Sequence, residues 1–227
     1  MANPQTNPAS VGDLLRTIGM FFAGSVALLI ALFLDDYKRW RSKPRLDALI
    51  NTDPPCCVRA ERMQILEGSL ERPHYALRLR ITNNGNAQAT DVEVYAKSLE
   101  RKNGHGKFES VVNFDGIYLV SLDTLNPKMP KYRDLARVFC KDHLPTSVYS
   151  HLNAPAEDYL GNRTVMDLAP PAGGWGQVFG PGIYRLTIVL GAANASPIEK
   201  ALEIKVTGTW PGVEPRTVSQ ILDAKML

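Results

Sequence analysis

The densest group of reactive side chains is Cys140-Lys141-Asp142-His143. A Cys and a His in C-x2-H spacing offer half of a zinc site, and the vicinal pair Cys56-Cys57 would have to complete it. Vicinal cysteines rarely share a metal, and the usual C-x2-C spacing is missing. As nucleophile and base, Cys140 and His143 would need an apposition in space that nearness in sequence does not supply. The reading is therefore a buried Cys140 at a strand end, with Asp142 and His143 in a turn. His74, His105 and His151 read as turn residues, His105 at a solvated Gly-rich tip. Gly173-Gly174-Trp175-Gly176 lacks the Lys-Ser/Thr and the helix of a phosphate loop. It reads as a turn whose Trp175 is either a lid on the core or an exposed contact. The chain is read as a non-enzyme with no cofactor and no metal. A membrane-tethered hydrolase using His143 or His151 with Asp142 or Cys140 is the catalytic rival.

Binding chemistry concentrates in residues 115–160. This stretch holds four of the eight tyrosines (Tyr118, Tyr132, Tyr149 and Tyr159) and two of the four histidines, among Pro127, Pro130, Pro145 and Pro155. Ile117–Leu122 and Arg137–Cys140 could be strands; the remainder reads as irregular loop. Long irregular loops on a rigid scaffold often carry recognition, with Tyr supplying contact area at low entropic cost. A protein partner is expected here, at Tyr118, Tyr132, Tyr149 and Tyr159 together with Trp175. The alternative is that these rings cover core edges.

The elements that must position these residues alternate with period 2. Tyr75, Leu77, Leu79 and Ile81 interleave with Ala76, Arg78, Arg80 and Thr82, giving one apolar face. Asn83-Asn84-Gly85-Asn86 follows as a turn signal. Val92, Val94 and Ala96 point in while Asp91, Glu93 and Lys97 point out. Lys102-Asn103-Gly104-His105-Gly106 then leads to Phe108–Val112, an Asn-Gly between two strand patterns that reads as a hairpin. Val165, Met166 and Leu168 suggest a short strand. Tyr184, Leu186, Ile188 and Leu190, then Leu202, Ile204 and Val206, repeat the alternation, and Val218–Leu227 reads as a short helix. The expected fold is all-β, an antiparallel β-sandwich preceded by one transmembrane helix.

Leu77–Asn86 with Ala89, Asp91, Val92, Glu93 and Val94 resembles the strand–turn–strand of bacterial immunoglobulin-like domains, most nearly the cell-adhesion-related (CARDB-type) domains. Pro181-Gly182-Ile183-Tyr184-Arg185-Leu186 looks like the tyrosine corner of such sandwiches. The resemblance implies that the Tyr184 hydroxyl bonds back to the upstream turn, with Leu186 in the place of the second core Cys. It also implies an extracellular setting. It marks a fold and not an activity.

Ahead of the sandwich, Thr17–Leu34 is uncharged and mostly apolar. As a helix its 18 residues span roughly 27 Å, close to the hydrocarbon thickness of a bilayer. It is too long for the h-region of a signal peptide and ends without an A-x-A site. It reads as a retained membrane anchor over 14–34. Lys38, Arg39, Arg41, Lys43 and Arg45 follow it, against Arg16 alone before it. The positive-inside rule then puts the N-terminus outside and the sandwich in the cytoplasm, beneath a cell inner (plasma) membrane. Lys38, Arg39, Trp40 and Arg41 fall at the interface, where basic and aromatic side chains meet headgroups. Gly19, Ala23, Ala27 and Ala31 recur every four residues and offer a face for a homodimer through the helix.

The expected division is a disordered tail over 1–13, the helix over 14–34, a basic linker over 35–55 with a helical turn at Leu46, Leu49 and Ile50, a sandwich over 56–210 and a tail over 211–227. The chain has 26 Lys+Arg and 23 Asp+Glu. Six of those cations and three of the acids lie in residues 1–45, so residues 46–227 carry twenty of each. A formally neutral domain argues against nucleic acid as partner. Cys56, Cys57 and Cys140, an odd number with one vicinal pair, do not make a disulfide framework. Sequons at Asn162 and Asn194 carry weight only in an exported domain. The expected function is a single-pass, membrane-anchored binding or scaffold protein, with the bilayer and a protein as partners. An exported adhesion or envelope-assembly domain is the alternative.

Overall fold

The computed structural model describes residues 11–65, 68–112, 114, 116–140, 163–168, 177–208, 210 and 218–227. The chain divides into two compact units, Met1–Lys43 and Pro44–Leu227.

The first unit contains helix α1, Val11–Arg41. Within it Ile18–Lys38 is long and apolar enough to cross a membrane. Phe21 and Phe33 are each 73% exposed, which sets this helix apart from a core helix that buries its rings. It outruns the expected 14–34 at both ends. Asp35–Arg41 contains neither Gly nor Pro, so nothing in it stops helix propagation. The Ser42 N–H bonds the Lys38 carbonyl at 2.9 Å, and Pro44 ends the run.

The second unit is built from strands. In chain order these are β1 (Leu46–Leu49), β2 (Cys57–Ile65), β3 (Gly68–Asn83), β4 (Ala89–Lys102), β5 (Phe108–Ser110) and β6 (Ile117–Leu125). There follow β7 (Lys131–Cys140), β8 (Thr164–Leu168), β9 (Gln177–Phe179), β10 (Gly182–Ala192), β11 (Ala195–Val206) and β12 (Leu222–Met226). One sheet runs β1-β3-β7-β8-β9, with β2 also on β3; the other runs β12-β11-β10-β4-β5, with β6 also on β4. Every ladder between these strands is antiparallel. The expected all-β sandwich behind one apolar helix is the observed fold.

The alternation read from the sequence is the alternation of burial. Leu77, Leu79 and Ile81 from β3, Val92, Val94 and Ala96 from β4, and Leu186, Ile188 and Leu190 from β10 form one core with Leu202 and Ile204 of β11. Their intervening partners stay at least partly exposed on β4 and β10. The Asn103 hairpin forms as expected between β4 and β5: Asn103 Oδ1 accepts from the N–H groups of His105 at 2.9 Å and Lys107 at 3.0 Å. Asn83–Asn86, in contrast, carries the chain from one sheet to the other, because β3 and β4 do not pair.

Four expectations are corrected. Residues 46–49 form β1 rather than a helical turn in a linker, since Leu46 and Ala48 reach the core while the backbone pairs with Arg80–Asn83. Over 116–140 the chain is more regular than expected: the strands expected at 117–122 and 137–140 extend to 117–125 and 131–140, with Pro127 and Pro130 confined to the turn between them. The C-terminal stretch is a 3-10 turn at Val218–Gln220 followed by β12, whose Leu222 and Ala224 are buried against the sheet. His74 lies buried within β3 and not in a turn; β3 starts upstream of Pro73 because the register with β2 shifts between Ala60 and Arg62, a bulge that accommodates the missing N–H.

Candidate functional site

Tyr118 and Tyr132, the two expected contact tyrosines among the described residues, do not share a surface. Tyr132 is half-buried and pairs with Arg80 on the outer face of the first sheet. Tyr118 pairs with Tyr95 on the outer face of the second. Tyr149, Tyr159 and Trp175 lie outside the described residues, as do Asp142, His143 and His151.

Tyr118 makes a small built ledge. Its ring is 65% exposed and meets Tyr95 edge-on, with centroids 5.6 Å apart. Its hydroxyl donates to Glu93 Oε2 at 3.2 Å, and that bond, followed by the Glu93 charge, holds the phenol above its ordinary pKa. Gly116 makes room for the pair. It sits at φ +81°, and a Cβ there would come 1.9 Å from Tyr95 Oη. The rest of this sheet face is laced with ion pairs, Lys97–Glu199, Arg185–Glu100 and Lys225–Glu203. The Arg185 guanidinium also lies 3.8 Å over the Phe108 ring. Such a face can stack on and hydrogen-bond to a partner.

The cysteines are placed as packing groups. Cys56, Cys57 and Cys140 are all buried and unbridged. Burial, then the neighbouring Cys56, pushes the Cys57 thiol up to about 11, and burial raises Cys56 as well. A thiol so placed is protonated at neutral pH and a poor nucleophile. Among the described residues no group of three His, Cys, Asp or Glu side chains could hold a metal ion. On α1, Gly19, Ala23, Ala27, Ala31 and Lys38 are exposed; Arg39, Trp40 and Arg41 lie in the last turns of the helix.

Two polar features escaped the sequence reading. Arg137 of β7 faces Asp167 of β8 directly across the ladder, with Nη2 to Oδ2 at 2.9 Å and the two side chains 9% and 0% exposed. Each is the one charge in an apolar run, Leu135–Cys140 and Thr164–Leu168, and the opposite signs were the available signal. Asn83 is the second. Its Oδ1 accepts from the N–H groups of Arg45 and Gly85, and its Nδ2 donates to the carbonyls of Ala87 and Leu125. An amide that fills both acceptor and both donor positions with main chain is a structural clamp.

The chain matches no model of a known protein family, no characterised protein and no solved structure.

Proposed function

We propose that this is a single-pass membrane protein that presents an immunoglobulin-like sandwich to a protein partner in the cytoplasm, as a non-catalytic anchor or scaffold. The observation that carries the reading is the Ile18–Lys38 helix, long and apolar enough for a bilayer, in one chain with an all-β unit that starts at Pro44. The basic residues from Lys38 to Arg45 support the inward orientation. Pairing of β3 with β7 in one sheet and β4 with β10 in the other, with the Tyr184 hydroxyl donating to the Gly180 carbonyl at 2.7 Å, supports the immunoglobulin-like assignment. The Tyr118 ledge is the contact surface in this reading.

Self-association through Gly19, Ala23, Ala27 and Ala31 belongs to the same reading. Among the described residues a Cβ at Gly19 would meet nothing within 4 Å, which leaves this face open for a second helix. Replacing Gly19 and Ala27 with Ile should then lower the dimer fraction in detergent.

The deciding experiment is topology. An epitope placed after Leu227 is probed with protease added to cells whose inner membrane is intact. Protection until lysis is the expected result, and crosslinking from a photoreactive group at position 118 then identifies the partner. Loss of the epitope from intact cells would overturn the cytoplasmic placement and leave adhesion or envelope assembly as the function.

A further inference from the structure

One end of the sandwich gathers Pro44–Arg45 and the turns at 83–88, 126–131 and 192–197. Hydrogen bonds tie these segments together. The Asn84 N–H donates to the Arg45 carbonyl at 2.7 Å, and the Lys128 N–H to the Asn83 carbonyl at 2.9 Å. Gln88 Nε2 donates to Asn126 Oδ1 and Asn194 Nδ2 to the Gln88 carbonyl, both at 2.9 Å. The charged residues in these segments are Arg45, Lys128 and Lys131; all three are exposed cations, and the segments hold no Asp or Glu. Asn, Gln, Ser, Ala, Gly and Pro make up the remainder, with Met129 set 58% exposed between the two lysines. Asp47 borders this end, where its Oδ2 accepts from Asn84 Nδ2 at 3.4 Å, but its other oxygen is paired with Lys200, and Lys128 Nζ is held by the Asn84 carbonyl; the three cations therefore set the sign of this end.

The link from α1 to this end is short. Only Ser42 and Lys43 separate Arg41, the last residue of α1, from Pro44, a reach of at most about 11 Å. Anionic headgroups attract cations within a Debye length of roughly 8–10 Å, and an exposed thioether partitions into the interfacial layer. We infer that this end of the sandwich docks on the anionic lipid surface of the membrane that holds α1, through Arg45, Lys128 and Lys131 with Met129 dipping between them. The inference rests on the anchor reading above.

The test uses the full chain carrying Met129→Cys, labelled with an environment-sensitive fluorophore. The native cysteines are buried and leave position 129 as the accessible thiol among the described residues. The protein is reconstituted in liposomes of phosphatidylcholine alone, or of equal parts phosphatidylcholine and phosphatidylglycerol, each with headgroup spin-labelled lipid as quencher. Quenching about threefold stronger in the anionic liposomes, abolished by molar salt and by Lys128→Gln with Lys131→Gln at unchanged melting temperature, is the expected result. Equal or absent quenching in a chain that resists alkaline carbonate overturns this inference and leaves the anchor standing. A chain that carbonate strips from the liposomes overturns the anchor and this inference together.

Discussion

Asn83 Nδ2 donates to the main-chain carbonyl of Leu125 across 3.1 Å, so the last residue of β3 in one sheet holds the last residue of β6 in the other. The same side chain holds Arg45, Gly85 and Ala87, and it is wholly buried. Removing it would leave two main-chain donors and two carbonyls to find new partners, at about 1–3 kcal/mol for each that stays buried and fails. Asn83→Ala is therefore expected to lower stability by about 3 kcal/mol or more. Asn83→Asp, which keeps the acceptor and loses both donors, should lose nearly as much. Denaturant unfolding of the full chain in detergent checks both; a loss below 1 kcal/mol for Asn83→Ala would mean that water replaces the clamp.

The Arg137–Asp167 pair gives a sharper comparison. Two charges withdrawn from water are held together at 2.9 Å, and breaking a buried pair from one side typically costs about 3–5 kcal/mol. Arg137→Met and Asp167→Leu should each be severely destabilised. The double variant should recover part of the loss, because the two charges leave together. A double-mutant cycle on denaturation midpoints reads the coupling directly, and additive losses would show that the pair does not act as a unit.

Much of this fold was legible because a half-buried strand writes its inward face into every second residue. Leu77, Leu79 and Ile81 could be placed that way, and so could Leu186, Ile188 and Leu190. The pattern fails where both faces of a strand are covered. All five residues of β8 are buried, so Asp167 could not be sorted from its neighbours by period. It fails again in short strands: Leu46-Asp47-Ala48-Leu49-Ile50 fits one turn of helix as well as four residues of ladder, and only the register with Arg80–Asn83 decides. Sheet membership was beyond the sequence altogether. Asn83-Asn84-Gly85 announces a turn, but a crossing between sheets and a hairpin draw on the same residues. For the candidate site, a run rich in tyrosine could be noticed, whereas the outer faces that Tyr118 and Tyr132 occupy depend on a bulge in each ladder.

The tyrosine corner is a test of one bond. Tyr184 is almost wholly buried, and its hydroxyl donates to the Gly180 carbonyl four residues upstream. Tyr184→Phe keeps the ring and its packing against Phe179 while leaving a buried carbonyl short of a donor. A loss of about 1–3 kcal/mol is expected in the same unfolding experiment, with no change in the denaturant slope.

Gly116 links backbone to surface. A methyl group there meets Tyr95 Oη at 1.9 Å and a positive φ at once. Gly116→Ala should destabilise by about 1–3 kcal/mol and push Tyr95 out of its seat beneath Tyr118. Crosslinking from position 118 should fall with it. Adding Tyr95→Phe removes the nearest atom but leaves the ring carbon Cζ 2.5 Å from the new methyl, so it should restore only part of the stability, the rest being held by that contact and by φ. Full recovery would assign the glycine to space alone.

Cys57 makes a prediction about pH. Its folded thiol titrates near 11, against an ordinary value of 9.0, so the folded chain holds this proton more tightly than the unfolded one. Unfolding releases the proton above about pH 9, and mass action then favours the unfolded chain. The stability tied to this thiol is fully present below pH 9 and drains away as pH rises towards 11. Cys57→Ala removes the titrating group and leaves a small cavity, so the variant should start less stable at pH 7 and then lose less between pH 9 and 11 than the native chain. Iodoacetamide gives an independent reading: in the folded protein at pH 8 Cys57 should alkylate far more slowly than in denaturant, because its thiolate is scarce and its sulfur is covered. Rapid labelling in the native state would show that the segment from Asp53 to Cys57 opens, and that burial in the closed form does not govern this cysteine.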